Sequence, residues 1–337
     1  MCIFYIKIKI VLFCLYLFAC TDNDKVYSIT LPEQESETEI PYNYTALLNK
    51  TISVPTEYVQ EAVLKGSVVQ IDYDTQNYVE GNGETRSNTA YVYLPYGYEE
   101  SSENCYNVFY FVHGHGETAA SFFQNENGML RNLLDHMMGN GDMAPTIVVS
   151  TSYVYGTPVD YYPDADPYCK ALPQELVNDL IPIVESRYHT YTENTDIAEI
   201  KASRGHRAIG GFSMGAVTTW YALEYTLDYF KYFMPISSDC WSLGRFTGMD
   251  FPNETATHLA NIIHSFALLE NDFYIWACSG TNDVAYDRIW TQVQAMAQFT
   301  DVFSVSNLTF HEQEGARHEF RSLAEYLYNA LSFLFPN

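Results

Sequence analysis

Two glycines flank a single serine in the run Gly211-Phe212-Ser213-Met214-Gly215, and this spacing restricts the backbone more than any other stretch of the chain. A short apolar segment, Arg207-Ala208-Ile209-Gly210, leads in, and Ala216-Val217-Thr218-Thr219-Trp220-Tyr221 leads out. Glycine two positions before and after the serine removes the side chains that would block a sharp strand-to-helix turn, and such a turn projects the hydroxyl from the top of a sheet. Met214, Val217 and Tyr221 recur at the spacing of a helix face that packs back on that sheet. The segment reads as a nucleophile elbow with Ser213 at its tip.

An elbow of this kind predicts an acid after a later strand and a histidine after the last one. Phe273-Tyr274-Ile275-Trp276-Ala277-Cys278 is an aromatic and β-branched run of strand length, and Ser279-Gly280-Thr281-Asn282 turns out of it into Asp283. Leu308-Thr309-Phe310-His311 is a second such run, from which Glu314-Gly315-Ala316-Arg317 leads to His318. A final amphipathic helix follows, with Leu323, Leu327, Ala330 and Leu331 on one side. Ser213, Asp283 and His318 thus occur in the order of an α/β-hydrolase triad. The fold class expected is α/β: a mostly parallel central sheet flanked by helices in a single catalytic domain. Taken singly, a serine between glycines is a turn residue and an aspartate in an S-G-T-N-D turn is an Asx-type cap. Asp287 is the main rival acid and Asp301 a weaker one, while His311, inside a strand, is assigned to packing.

A continuous apolar run, Val108-Phe109-Tyr110-Phe111-Val112, suits a buried parallel strand and opens into His113-Gly114-His115-Gly116-Glu117. This loop looks like the HG-type loop that contributes one oxyanion-hole N–H, with the second from Met214, the residue after the serine. The pair His113 and His115 has chelating spacing, but no cysteine or carboxylate cluster follows at ligand distance, so no metal is assigned.

Several segments carry a more specific likeness. Tyr91 to Tyr98 (Y-V-Y-L-P-Y-G-Y), the loop His113 to Glu117, Asn132-Leu133-Leu134-Asp135-His136, Asp179 to Tyr188 (D-L-I-P-I-V-E-S-R-Y) and Ala202 through Gly215 resemble the feruloyl esterases of carbohydrate esterase family 1, in particular the esterase domains attached to bacterial xylanases. The similarity runs from about Lys65 to Phe335. It implies hydrolysis of ferulate and related hydroxycinnamate esters on the arabinose side chains of xylan, without a cofactor. The triad carries over to Ser213, Asp283 and His318, and the oxyanion hole to His115 and Met214. Phe233 to Trp241 (F-M-P-I-S-S-D-C-W) also resembles the family's segment near the acyl site, which makes Trp241 and Asp239 the expected substrate contacts. The chain departs from the family pattern in H-G-H-G-E, where a plain glycine run is common, and in Glu319-Phe320 after the histidine.

A net charge of −25 disfavours nucleic acid and anionic membrane surfaces and suits a neutral polysaccharide. Lys7 and Lys9 precede the apolar run Val11 to Ala19, too short to span a bilayer comfortably, which reads as a signal peptide over 1–19. Leu17-Phe18-Ala19-Cys20 resembles a bacterial lipoprotein processing site, with Cys20 as the lipidated residue. The expectation is an exported protein, an outer-membrane or cell-surface lipoprotein or else a secreted or periplasmic one, touching the membrane only through its lipid. Residues 20–50 are assigned to a polar tether and 51–337 to the esterase domain. Cys105, Cys169, Cys240 and Cys278 are too widely spaced to read as a disulfide scaffold. Tyr161-Tyr162-Pro163-Asp164 is placed at the rim of the site. Three other readings stay open: an acetylxylan esterase or other carbohydrate esterase of the same family, an acyltransferase with the same triad, and a surface lipoprotein that binds glycan without catalysis.

Overall fold

The computed structural model describes residues 44–335, apart from 102, 156–158 and 269–270; the expected signal peptide, Cys20 and most of the expected tether lie outside the described residues. Among the described residues nine strands form one sheet: β1 (Leu48–Lys50), β2 (Ser67–Gln76), β3 (Thr85–Leu94), β4 (Asn107–Val112), β5 (Thr146–Thr151), β6 (Arg207–Phe212), β7 (Tyr232–Ile236), β8 (Tyr274–Gly280) and β9 (Leu308–Gln313). Their spatial order is β1-β9-β8-β7-β6-β4-β5-β3-β2. Pairing is parallel from β1 to β5, and antiparallel where β3 joins β5 and β2 joins β3. The helices are α1 (Ser121–Asn140), α2 (Asp166–Glu175), α3 (Ile181–Arg187), α4 (Ile197–Ala202), α5 (Met214–Tyr225), α6 (Thr247–Asp250), α7 (Pro252–Ser265), α8 (Tyr286–Met296) and α9 (Leu323–Leu331), with a π-helical turn over Leu176–Leu180 between α2 and α3. This is an α/β-hydrolase architecture.

The central strands are apolar on both faces because both faces are covered. Along β4, Phe109 and Phe111 pack with Leu130 and Leu133 of α1 and Leu327 of α9. Val108, Tyr110 and Val112 point the other way, into a core with Leu172 of α2, Val217 of α5 and Ile289 of α8. α5 differs from the one-sided helix expected: Met214 through Leu223 are all buried, because the helix lies between the sheet and α2 and α7.

Two of the family-like segments meet in buried polar contacts. The Glu185 carboxylate accepts from Arg207 Nε at 2.6 Å and Nη2 at 2.7 Å, both side chains almost fully covered, so the pair ties α3 to the start of β6. Asp135 of α1 accepts from the Tyr93 hydroxyl at 2.8 Å and the Gly66 amide at 2.7 Å. Breaking either of these buried arrangements by removing one partner strands a charge or a polar group in the interior.

The tether assignment needs correction at its end. Leu48–Lys50 pair in parallel with Phe310–Glu312 of β9 and close that edge of the sheet, and Leu47 is fully buried. An otherwise open strand edge and an apolar side chain to bury are what draw these residues into the fold.

Candidate active site

Six neighbouring parallel strands, β9-β8-β7-β6-β4-β5, end at one rim, and the loops leaving them hold the candidate site residues singled out in the sequence. Ser213 follows β6 with φ 56° and ψ −113°, a conformation that costs a non-glycine residue about 1–3 kcal/mol. The surroundings hold it there: its amide donates to Ile236 O of β7 at 2.9 Å. The two glycines of the motif are required by close approach. A Cβ on Gly211 would lie 2.4 Å from Gly215 O, and one on Gly215 would lie 2.0 Å from Val112 O.

His318 and Asp283 arrive on loops that are laced together. Thr281 N donates to Gln313 O at 3.0 Å, Asn282 N to Ala316 O at 3.0 Å, and Gly315 N to Thr281 Oγ1 at 2.8 Å. The result is a continuous hydrogen-bonded run: Ser213 Oγ to His318 Nε2 at 2.9 Å, and His318 Nδ1 to Asp283 Oδ1 at 2.8 Å. Asp283 Oδ1 also accepts the Ala285 amide at 2.7 Å. An ionised carboxylate only accepts, so Nδ1 carries the imidazole proton and Nε2 is left to accept from the serine hydroxyl. The His318 ring leans on Phe212, with centroids 4.7 Å apart.

The rival acids are elsewhere. Asp287 is exposed on the first turn of α8, and Asp301 pairs at 3.3 Å with His264 on the surface. His311 stacks on Trp276 at 4.2 Å and bonds Thr309, a packing role that pushes its imidazole down to about 4 through burial.

In the loop after β4, His113 is fully buried. Its Nδ1–H donates to Gly114 O at 2.7 Å, Nε2 accepts from the Ser152 hydroxyl at 2.8 Å, and burial pushes its pKa down to about 4. Glu117 accepts the Gly114 amide at 3.2 Å, and burial raises its carboxyl above the usual range. His115 donates from Nε2 to Val159 O at 2.6 Å, which fixes the loop from its outer side. The two histidines therefore serve the loop's own hydrogen bonds; among the described residues no group of three or more histidine, cysteine or acidic side chains is gathered for a metal.

A cavity of about 310 Å³ opens over Ser213 and His318, and both His115 and Met214 line it. Trp241, only 1% exposed, forms part of the wall with Tyr162, and Phe246 backs it edge-to-face at 4.7 Å. Tyr162 is the rim residue of its segment, while the Tyr161 side chain is 58% exposed and lies outside the lining. Asp239 is not a wall residue. It is fully buried behind Trp241, its carboxylate accepting the Trp241 indole N–H and the Met249 amide, each at 3.2 Å, and desolvation raises its pKa. The expectation of substrate contact is corrected to one of support for Trp241. Ser237, Ser238, Val284, Ala285 and Arg288 also line the cavity and were not singled out in the sequence. Only the two serines carried a signal, their place at the carboxyl end of β7. Cys105, Cys169, Cys240 and Cys278 are free thiols.

A serine, a histidine and an acid joined by hydrogen bonds at the carboxyl ends of a mostly parallel sheet are the layout of an α/β-hydrolase of the serine type. More narrowly, the chain belongs to the Esterase family, whose model ("Putative esterase") matches residues 83–332. It is 35% identical over 288 residues to endo-1,4-β-xylanase Y of Acetivibrio thermocellus, an alignment covering 83% of this chain and 24% of the xylanase. A shorter stretch of 137 residues is 31% identical to the endo-1,4-β-xylanase/feruloyl esterase of Xylanibacter ruminicola, covering 39% of this chain and 17% of that protein. The chain thus spans about a quarter or less of the length of these relatives. Among solved structures, a variant of the feruloyl esterase module from Clostridium thermocellum complexed with sinapinate matches at 34% identity and TM-score 0.74, over 86% of this chain and 94% of the module. The ferulic acid esterase of Anaeromyces mucronatus in complex with ferulic acid shares the fold at 20% identity and TM-score 0.62, over 85% of this chain and 98% of that one.

Proposed function

We propose that this protein is a serine carboxylic ester hydrolase that releases ferulate and related hydroxycinnamates from the arabinose side chains of xylan. The observation that carries the reading is the hydrogen-bonded run from Ser213 through His318 to Asp283, opening into a cavity walled by Trp241 and Tyr162. The likeness to a feruloyl esterase module that holds sinapinate supports the aromatic acyl group.

Ser213 Oγ attacks the ester carbonyl carbon while its proton passes to His318 Nε2 over the 2.9 Å bond. Asp283 holds the imidazole in the required tautomer and stabilises the imidazolium that forms. The amides of His115 and Met214 receive the oxyanion. Collapse of the tetrahedral intermediate breaks the bond to the sugar oxygen, which takes the proton from Nε2. Water, deprotonated by the same nitrogen, then attacks the acyl-enzyme and frees the carboxylic acid and Ser213. None of these steps calls for a cofactor.

Assays of the purified protein on methyl ferulate, p-nitrophenyl acetate and feruloylated arabinoxylan test the reading. Release of ferulate from the last is the expected result. Faster deacetylation of xylan would make it an acetylxylan esterase, acyl transfer to an added sugar an acyltransferase, and retention on xylan without turnover a binding protein.

The apolar run Val11 to Ala19 and Leu-Phe-Ala-Cys further support export with Cys20 lipidated, the acyl chains holding a soluble domain at a membrane. Cys20→Ser should release the protein from the membrane fraction or leave it unprocessed. An unmodified mature terminus elsewhere, found by mass spectrometry, would refute the anchor.

A further inference from the structure

Among the residues lining the cavity over Ser213, Arg288 is the one arginine or lysine. It stands on the first turn of α8, which begins just after the Asp283 loop. Its guanidinium carbon lies 5.0 Å from the centroid of the Phe246 ring, and Phe246 meets Trp241 edge-to-face at 4.7 Å and Tyr162 at 6.3 Å. The cation is therefore built into the same aromatic wall as Trp241 and Tyr162.

Among the described residues no hydrogen bond or ion pair commits its donors. Arg86 pairs with Glu84, Arg207 with Glu185, Arg245 with Asp164 and Arg321 with Glu126, whereas no carboxylate lies in ion-pair reach of Arg288 among the described residues. Asp239 is near enough for its field to be felt, but both of its oxygens are engaged, by the Trp241 indole and the Met249 amide. Arginine has five N–H donors in a planar fork and no acceptor, and stacking on an aromatic face orients that plane without using the donors. In a chain with 42 acidic residues against 17 basic ones, a guanidinium facing the cavity without an acid is matched to acceptor oxygens on what enters.

We propose that Arg288 is a specificity-determining residue that donates to the vicinal oxygen substituents on the ring of an aromatic acyl group. The proposal rests on the esterase reading and names the acyl class it prefers: rings bearing adjacent hydroxyl and methoxy oxygens over unsubstituted ones. The fork donates to the two oxygens while Trp241 and Tyr162 flank the ring.

The test uses binding to the full chain carrying Ser213→Ala, which turns nothing over. Methyl ferulate and methyl cinnamate differ only in the hydroxyl and methoxy groups on the ring. Ser213→Ala should bind methyl ferulate the more tightly, and adding Arg288→Met should cut that preference roughly tenfold or more, the worth of hydrogen bonds to a charged donor. Arg288→Lys, which keeps the charge and loses the fork, should fall between. Equal weakening of both esters, no weakening of either, or Arg288→Lys matching the parent overturns the proposal. Failure of the esterase reading appears separately, as a wild type that hydrolyses no ester, and leaves this binding comparison to decide the role of Arg288.

Discussion

Gly215→Ala probes the contact on which the whole site depends. The added methyl would lie 2.0 Å from Val112 O and 2.9 Å from His113 O, both backbone atoms at the end of β4. Ordinary van der Waals contact begins near 3.4 Å, so α5 and the end of β4 must separate by about 1.4 Å, and no rotamer change can relieve a clash with backbone. Overpacking of this kind costs about 1–3 kcal/mol, and the gain of up to about 1 kcal/mol from alanine in a helix does not offset its upper range. The effect on rate should be larger than the effect on stability. The methyl pushes on Met214 from one side and on the His115 loop from the other, and misplacing catalytic groups by about 1 Å can cost 10²-fold. Gly139→Ala is the control: the same change in an exposed glycine of α1, with nothing within 4 Å of the new methyl, should be neutral or mildly stabilising. Urea denaturation gives stability, and kcat/KM on p-nitrophenyl acetate gives activity. A Gly215→Ala variant with the midpoint and turnover of the wild type would refute the close approach of α5 to β4 and, with it, this account of the elbow.

Asp283→Asn should lower kcat by about 10⁴, the scale seen in Ser-His-Asp triads, whereas exposed Asp287→Asn should change it by less than about threefold; steady-state kinetics showing the reverse would move the acid. Trp241→Ala should reduce kcat/KM for methyl ferulate several-fold more than for p-nitrophenyl acetate, since ring contacts contribute about 0.5–1.5 kcal/mol beyond burial, and equal losses would reduce Trp241 to a prop of the fold. His113 and His311, each with a pKa of about 4 in the fold against an ordinary 6.5, bind protons more readily when unfolded. Their contribution is therefore fully present above pH 6.5 and lost as pH falls towards 4, by up to about 3 kcal/mol for fully buried His113 and less for partly exposed His311. Denaturation midpoints measured from pH 7.5 to 4 should fall across that window and fall less in His311→Gln; a flat profile would contradict their burial as neutral groups.

Residues whose geometry follows from their own backbone were legible in the sequence. The glycines around Ser213 announce a turn because only their absent side chains allow it, and apolar runs of strand length announce β4, β8 and β9 because both faces of the sheet are covered. Position past a strand end then located Asp283 and His318, and this favoured Asp283 over Asp287, which belongs to the following helix. The short strand at Leu48–Lys50 escaped notice because three residues carry no readable period, and its pairing depends on β9, some 260 positions away.

The cavity wall was far less legible, and the pair Asp239 and Trp241 indicates why. Both were drawn from one segment after β7, yet Trp241 reaches the cavity while Asp239 turns away from it. What decides between them is the Met249 amide, which offers the Asp239 carboxylate a second donor from the turn at α6. A fully buried carboxylate needs such donors more than a surface one, so it turns to where they are, and the indole it supports is fixed in consequence. Arg288 is the complementary case: nothing near it in sequence marks a binding residue, and its place follows from Phe246, more than forty positions earlier, offering a ring face beside the cavity. The hydrogen-bonded run from Ser213 through His318 to Asp283 is set by strand ends and can be read along the chain; the cavity wall is set by which loop supplies a donor or a ring to another, and it takes shape only when the loops meet.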